Sequence, residues 1–299
     1  MNITQRQQQA RTLYNRAAAL QLTERWYRTQ VRHLVLEPMM IDIDHDSTTH
    51  RLINHHQLAK GYIISKAPGV VAGLAEIKWA TQQLGISCTV KIGDGKYCKP
   101  GNVLAKLTGS ARILLGVERT MLNTLQRLSG IATSTHRIVQ KIGPYPLVAA
   151  TRKTILGPLD KRAVVTGGGY SHRLGLADGI LVKDNHWALV DATIIVKKHW
   201  PKGRLRIIEI ASRRQLHTIC TNNADIDVIL FDNFSQKQLH AAMTWLKQQR
   251  YYQGYLFEAS GGITFDNCLA YARSGVDVIS VGSLTHSAPA LDVSFEIVP

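Results

Sequence analysis

From residue 146 onward the chain repeats one pattern: a short apolar run rich in β-branched residues, followed by a segment with helical spacing. The runs are 146–150 (PLVAA), 179–182 (GILV), 205–210 (LRIIEI), 227–231 (DVILF), 255–259 (YLFEA) and 276–281 (VDVISV). Strands that read as continuous apolar blocks are buried on both faces, the habit of parallel sheets covered by helices. Segments such as 235–249 and 265–274 have helical spacing and suit right-handed crossovers between parallel strands. Six such units predict an α/β chain with an incomplete (β/α) barrel. An open doubly wound sheet is the alternative that this pattern leaves standing.

The first part of the chain follows a different rule. Residues 5–37 read as one helix, with their basic side chains as its solvated face. Two β-like stretches follow, 61–73 and 89–109, the second punctuated by Gly93-Asp94-Gly95 and Lys99-Pro100-Gly101. Both tripeptides are turn chemistry. Alternation from Asn102 to Leu107 fits a half-buried strand. An N-terminal α+β sandwich domain is therefore expected over residues 1–117, and a barrel catalytic domain over 118–287. A biotinyl-type sandwich is argued against by the absence of a Met-Lys-Met site. In residues 118–142, Met121, Leu122, Leu125, Leu128 and Ile131 recur at helical spacing and are read as core.

Charge is the unusual feature of the composition. The 299 residues carry a formal charge of +15. Such an excess suits nucleic acid or an anionic membrane, or else a cleft for multiply charged small molecules. The key cations stand singly at strand ends and not in runs, which favours the cleft. Cys88, Cys98, Cys220 and Cys268 form no CxxC pair and read as reduced thiols. The opening MNITQRQQQA is too polar for a secretory signal, and no apolar run has the length of a membrane span. A cytoplasmic protein without a membrane segment is expected.

In a (β/α) barrel, function gathers at the carboxyl ends of the strands. Those ends here carry Thr151-Arg152-Lys153, then Lys183 through His186, Glu209, Asp232-Asn233, Glu258 through Gly262, and Gly282 through Ser287. A single polar residue after a strand is ordinary loop chemistry; six consecutive ends of this kind point to one site. Ser260-Gly261-Gly262 and Gly282-Ser283 read as phosphate cradles, since glycine lets backbone N–H groups approach an anion. Arg152, Lys153 and Arg173 make a cluster suited to a dicarboxylate, which a guanidinium grips through two parallel hydrogen bonds. Glu209 and Asp232, one strand apart, could form a general acid/base pair, and as hard oxygen donors they also suit magnesium.

The segments 118–133 (ERTMLNTLQRLSGIAT), 151–154 (TRKT), 167–186 (GGGYSHRLGLADGILVKDNH), 258–264 (EASGGIT) and 271–295 closely resemble quinolinate phosphoribosyltransferases. The resemblance runs from about residue 90 to 295 and is weak over the first 60. It implies a dimer in which the sandwich of one subunit covers the barrel mouth of the other, with residues 288–299 rejoining the sandwich. It also implies roles. Arg119, from across the dimer, with Arg152, His172 and Arg173, would surround the carboxylates of quinolinate. Thr151 belongs to the same motif. Lys153 and Lys183 would contact substrate and the phosphoribosyl group. Glu209 and Asp232 would hold ribose hydroxyls or Mg2+. Ser260, Gly261 and Gly262 with Val281, Gly282 and Ser283 would bind the 5-phosphate of phosphoribosyl pyrophosphate. The catalytic set is Lys153, Glu209 and Asp232.

Departures from the family pattern are local. Ile155-Leu156-Gly157 stands where Thr-Pro-Gly is usual, and Ala150 and Ala211 replace usual acids. Two rivals remain at this stage. One is a paralogue for another anionic base, such as the molybdenum-associated relatives, which lack the Leu-Asn-x-Leu-Gln-Arg and Lys-Asp-Asn-His patterns found here. The other is a basic nucleic-acid-binding barrel without activity, disfavoured by the full set of site residues.

Overall fold

The computed structural model describes residues 1–201 and 203–298. Among them the strands are β1 (Leu58–Ser65), β2 (Gly69–Val70), β3 (Ser87–Val90), β4 (Tyr97–Cys98), β5 (Val103–Ser110), β6 (Leu147–Ala149), β7 (Gly179–Val182), β8 (Leu205–Ile210), β9 (Val228–Asp232), β10 (Leu256–Ser260), β11 (Val278–Ser280) and β12 (Val293–Val298). The chain divides into two compact units.

One unit comprises Met1–Arg16, Arg137–Lys153 and Gly169–Ser283. Its sheet has six strands in the order β6-β11-β10-β9-β8-β7, and every pairing is parallel. The two end strands, β6 and β7, do not pair with each other. This is the incomplete barrel expected from the six apolar runs.

Side chains alternate along each strand, so every second residue faces the same side. Leu147, Ala149, Leu205, Ile207, Val228, Leu230, Leu256 and Val278 form one buried apolar cluster inside the sheet. Each Val, Leu or Ile side chain among them, once removed from water, stabilises the fold by about 1.5–3 kcal/mol. Helix α1 (Ile3–Tyr14) adds Ala10 and Tyr14 to that cluster. It starts in a capping box, with Asn2 accepting from the Gln5 amide and the Gln5 side chain accepting from the Asn2 amide. Arg6, Ala10 and Tyr14 recur every fourth residue and are its buried stripe.

Two expectations about the N-terminus are corrected here. The single helix over 5–37 is interrupted: α1 stops at Tyr14, Asn15 is extended, a single 3-10 turn spans Ala18–Leu20, and α-helix resumes at Arg25. The chain leaves its helix where it passes from one compact unit into the other, between Arg16 and Ala17, so tertiary packing overrides local propensity. Nor is the basic face wholly solvated. Arg6 is buried and pairs through Nε and Nη2 with both carboxylate oxygens of Asp277. Its guanidinium also lies 4.1 Å from the centre of the Tyr252 ring. The Tyr145 hydroxyl and the Phe257 amide donate to the same carboxylate, so the buried charge is fully engaged.

The other unit comprises Ala17–His136, Thr154–Gly168 and the C-terminal stretch from Leu284. Its four-stranded sheet has the order β12-β1-β5-β3, antiparallel throughout. The C-terminal strand β12 runs beside β1 from Lys60↔Val298 to Ser65↔Val293. A long helix, Ala111–Ile142, follows β5, so residue 118 falls inside a continuous helix. Met121, Leu122, Leu125, Leu128 and Ile131 are buried on it, as their spacing predicts. Gly130 is required there, because a Cβ would sit 2.0 Å from the Pro289 carbonyl oxygen. Arg127 grips the buried Asp160 through two bonds of 2.9 and 2.7 Å. Asp160 in turn accepts from the amides of Ile155 and Leu156, which shapes the segment that departs from the family pattern.

All four cysteines are free and buried. Among the described residues, no helix is long and apolar enough to cross a membrane.

Candidate active site

The alternation that buries the barrel core also builds the site. One step beyond each inward apolar residue, the same parity reaches Thr151 after Ala149, Lys183 after Leu181, Glu209 after Ile207, Asp232 after Leu230, Glu258 after Leu256 and Ser280 after Val278. An apolar layer is thus capped by a polar one at the carboxyl ends of the strands. Strand register staggers this layer: Glu209 and Glu258 both lie opposite Leu230, while Asp232 and Ser280 both lie opposite Ser260.

The acids of this layer behave differently. Glu209 and Asp232 are half-buried. Burial pushes the Glu209 carboxyl up, and Asp232 adds to that, while Lys183 pulls the other way. Glu258 is completely buried. Burial alone would raise its carboxyl, but His172, Ser280 and Tyr14 together hold it below its ordinary value. His172 Nε2 lies 3.4 Å from Glu258 Oε1, and the Tyr14 hydroxyl donates to Oε2 at 2.5 Å. The Ser280 hydroxyl donates to Oε1.

The cations converge as well. Arg173 is buried, and its guanidinium donates to the Gly179 carbonyl at 3.0 Å. Its burial lowers its proton affinity, and the charge of Arg152 lowers it further; Asp178, Glu209 and Glu258 oppose this. Arg152 and Arg173, from different segments, are therefore close enough to repel, an arrangement that an anion would relieve. Arg152, Lys153 and Lys183 are exposed. The Lys153 amide donates to the Thr151 hydroxyl at 3.1 Å, which fixes the turn after β6. His172 holds a left-handed backbone, φ 55°, and its Nδ1 accepts from the Arg173 amide at 2.7 Å. Both of its ring nitrogens are thus engaged within the protein.

Gly261 and Gly262 have φ of 90° and 63°, both left-handed. A Cβ on Gly261 would lie 2.2 Å from Asn233 Oδ1, whereas one on Gly262 would meet nothing within 4 Å. The Asn233 amide donates to the Ser260 carbonyl at 2.9 Å, and Asn267 Nδ2 donates to the Gly262 carbonyl at the same distance. Val281 donates its amide to Ala149, which ties the second cradle to β6.

Arg152, Lys153, His172, Arg173, Lys183, Glu209, Asp232, Ser260–Gly262 and Val281–Ser283 all belong to the barrel unit. Arg119 belongs to the antiparallel unit and is exposed on its long helix. Sequence reading missed three contributors. Ser280 carried a usable signal, the parity of its strand. Trp187, whose indole donates to the Glu209 carbonyl at 2.8 Å, and Tyr14, remote in sequence, carried none.

Comparison with known proteins identifies the family. A family model for the quinolinate phosphoribosyl transferase C-terminal domain matches residues 131–296, and one for the N-terminal domain of the same enzyme matches 46–129. A probable nicotinate-nucleotide pyrophosphorylase (carboxylating) of Methanocaldococcus jannaschii is 39% identical over 85% of this chain and 92% of its own length. Its Bacillus subtilis counterpart, also named as probable, is 36% identical over 90% of this chain and 93% of its own. The solved structure of nicotinate-nucleotide pyrophosphorylase from Francisella tularensis superposes with a TM-score of 0.78 at 30% identity, covering 90% of this chain and 96% of that one.

Proposed function

The chain belongs to the quinolinate phosphoribosyltransferase family, and from that membership we propose that it transfers the phosphoribosyl group of phosphoribosyl pyrophosphate to quinolinate with decarboxylation. The products are nicotinate mononucleotide, pyrophosphate and carbon dioxide, a step in making NAD. The observation that carries the reading is the polar layer over the barrel core, with Thr151, Lys183, Glu209 and Asp232 at successive strand ends of the unit that also holds the buried Arg173.

Arg152 and Arg173 hold the two carboxylates of quinolinate, each fork matching a carboxylate plane. Arg119 joins them from the partner subunit of a homodimer. The pyridine nitrogen is thereby aimed at the anomeric carbon of the ribose, and positioning supplies much of the rate. As the pyrophosphate bond lengthens, positive charge grows on the sugar, and Glu209 and Asp232 oppose it. Lys153 and Lys183 neutralise the leaving pyrophosphate. The glycine cradles at Ser260–Gly262 and Val281–Ser283 hold the 5-phosphate. Once the nitrogen is alkylated, its positive charge stabilises the electron pair left on the adjacent ring carbon as the bond to the carboxylate breaks; carbon dioxide departs and a proton from solvent takes its place on that carbon.

The donor set fits magnesium. Two half-buried carboxylates stand on adjacent strands, and no group of three or more metal-ligating residues occurs among the described residues. Magnesium characteristically takes one or two carboxylates and fills its shell with substrate and water oxygens. Bound with phosphoribosyl pyrophosphate, it would supply charge neutralisation at the phosphates. A cytoplasmic location is proposed along with this role.

The test is release of carbon dioxide from carboxyl-labelled quinolinate. Lys153→Ala and Arg173→Ala are each expected to lose most of the turnover. Near-normal release in both would overturn the proposal.

A further inference from the structure

We infer that Tyr14 and Arg16, at the end of α1, are positioning residues that hold the carboxylate-binding loop 171–174; this rests on the phosphoribosyl-transfer reading above. Residues 1–45 lie outside both matched family segments, 46–129 and 131–296. Yet Met1–Arg16 belong to the barrel unit itself.

The contacts are specific. The Tyr14 hydroxyl donates to Glu258, and its ring meets the His172 ring edge-on at 5.0 Å between centroids. Glu258 also faces His172 Nε2, so one tyrosine contacts both the histidine and its carboxylate partner. The Ser171 hydroxyl accepts from the Arg16 amide at 3.0 Å and donates to the Tyr14 carbonyl at 3.3 Å. The Arg16 guanidinium pairs with Asp178 through Nε at 2.8 and 3.0 Å. Asp178 also accepts from the Leu174 amide at 2.8 Å. The loop that carries His172 and Arg173 is thus bound at Ser171, His172 and Asp178 by Tyr14 and Arg16, and Asp178 in turn holds the Leu174 amide.

The loop needs this support. His172 stands at φ 55°, a conformation that non-glycine residues adopt only when their surroundings hold them there. Arg173, next along, must present its fork at one angle. A guanidinium misplaced by a fraction of an ångström loses the benefit of a two-bond grip. The Arg173 guanidinium donates to the Gly179 carbonyl and its amide to His172 Nδ1, while the anchors at Ser171 and Leu174 on either side fix the backbone around it. Tyr14 and Arg16 touch neither substrate in this scheme; they act through the loop.

The experiment uses the full chain with Tyr14→Phe, which keeps the ring in the core, and Arg16→Gln, which keeps the backbone amide bond to Ser171. Steady-state constants for both substrates are measured beside amide hydrogen exchange of residues 171–178 without ligand. In each variant the quinolinate KM is expected to rise about tenfold, the size of a lost hydrogen bond to a charged group, with little change in the KM for phosphoribosyl pyrophosphate. Exchange in the loop should quicken while β8–β10 stay protected. Unchanged loop exchange, or equal shifts in both KM values, would overturn the inference, since a general loss of stability affects both substrates. If the wild-type protein itself releases no carbon dioxide, the functional reading falls, and the exchange comparison alone decides whether these residues order the loop.

Discussion

Asp232 raises the proton affinity of Glu209 from the neighbouring strand, adding to what burial already does. Two acids crowded in this way favour a cation between them. Replacing Asp232 by Asn should let the Glu209 carboxyl fall back toward its ordinary value. A carboxyl raised by folding contributes stability that is complete below its unfolded value and is lost as pH rises through the folded one. The Asp232→Asn protein should therefore melt higher than wild type at neutral pH and no higher at strongly acidic pH. It should also need about tenfold more magnesium for half-maximal turnover, having lost one of two carboxylates. Identical melting curves and magnesium titrations would contradict this.

Glu76 offers a second pH dependence, in the antiparallel unit. It is buried, accepts from the Tyr27 hydroxyl at 2.8 Å, and leaves Oε2 without a partner among the described residues. Burial raises its carboxyl, and Asp94 raises it further. By the same sign, wild-type stability declines as pH climbs through that raised value. Glu76→Gln should flatten the decline, giving a gain at neutral pH of about 1–2 kcal/mol and none in acid. Urea unfolding at a series of pH values measures it.

The buried pair Arg6–Asp277 should be strongly coupled to folding. Arg6→Met leaves Asp277 with two hydrogen-bond donors and no counter-charge. The expected loss is about 3–5 kcal/mol, little affected by salt because both groups are away from solvent. A loss that vanished at high salt would show that the pair is effectively exposed.

Gly261→Ala tests the cradle. Its φ of 90° and the 2.2 Å approach to Asn233 leave no room for a methyl group. The KM for phosphoribosyl pyrophosphate should rise by about tenfold or more, while the quinolinate KM changes less. Gly262→Ala, which meets no neighbour but keeps the left-handed strain, should have the smaller effect. Reversal of that order would argue against Gly261 as the close approach to phosphate.

Much of the site was legible because parallel strands impose a simple rule. Glu209 and Asp232 could be placed from their distance beyond an apolar run, and the glycine pairs from their position after the last strands. Ser280 obeyed the same parity but lacked the charge that draws notice. Tyr14 could not be found this way. It reaches Glu258 across 244 positions of sequence, and nothing local to either residue announces the contact. Arg6 was misread for the same reason: an amphipathic pattern identifies a buried stripe but not whether a charge within it has a partner.

What the sequence by itself determined was the alternation of buried strands with helices, the chemistry collected at their carboxyl ends, and the family those residues belong to. These follow from periodicities of two and 3.6 residues, which are properties of short stretches of chain. Tertiary structure alone decided that the first sixteen residues join the barrel unit, that an arginine is buried against Asp277, and which acid is held ionised and which is raised. Burial and Coulomb energy depend on distances between segments far apart in sequence, and no local pattern encodes those distances.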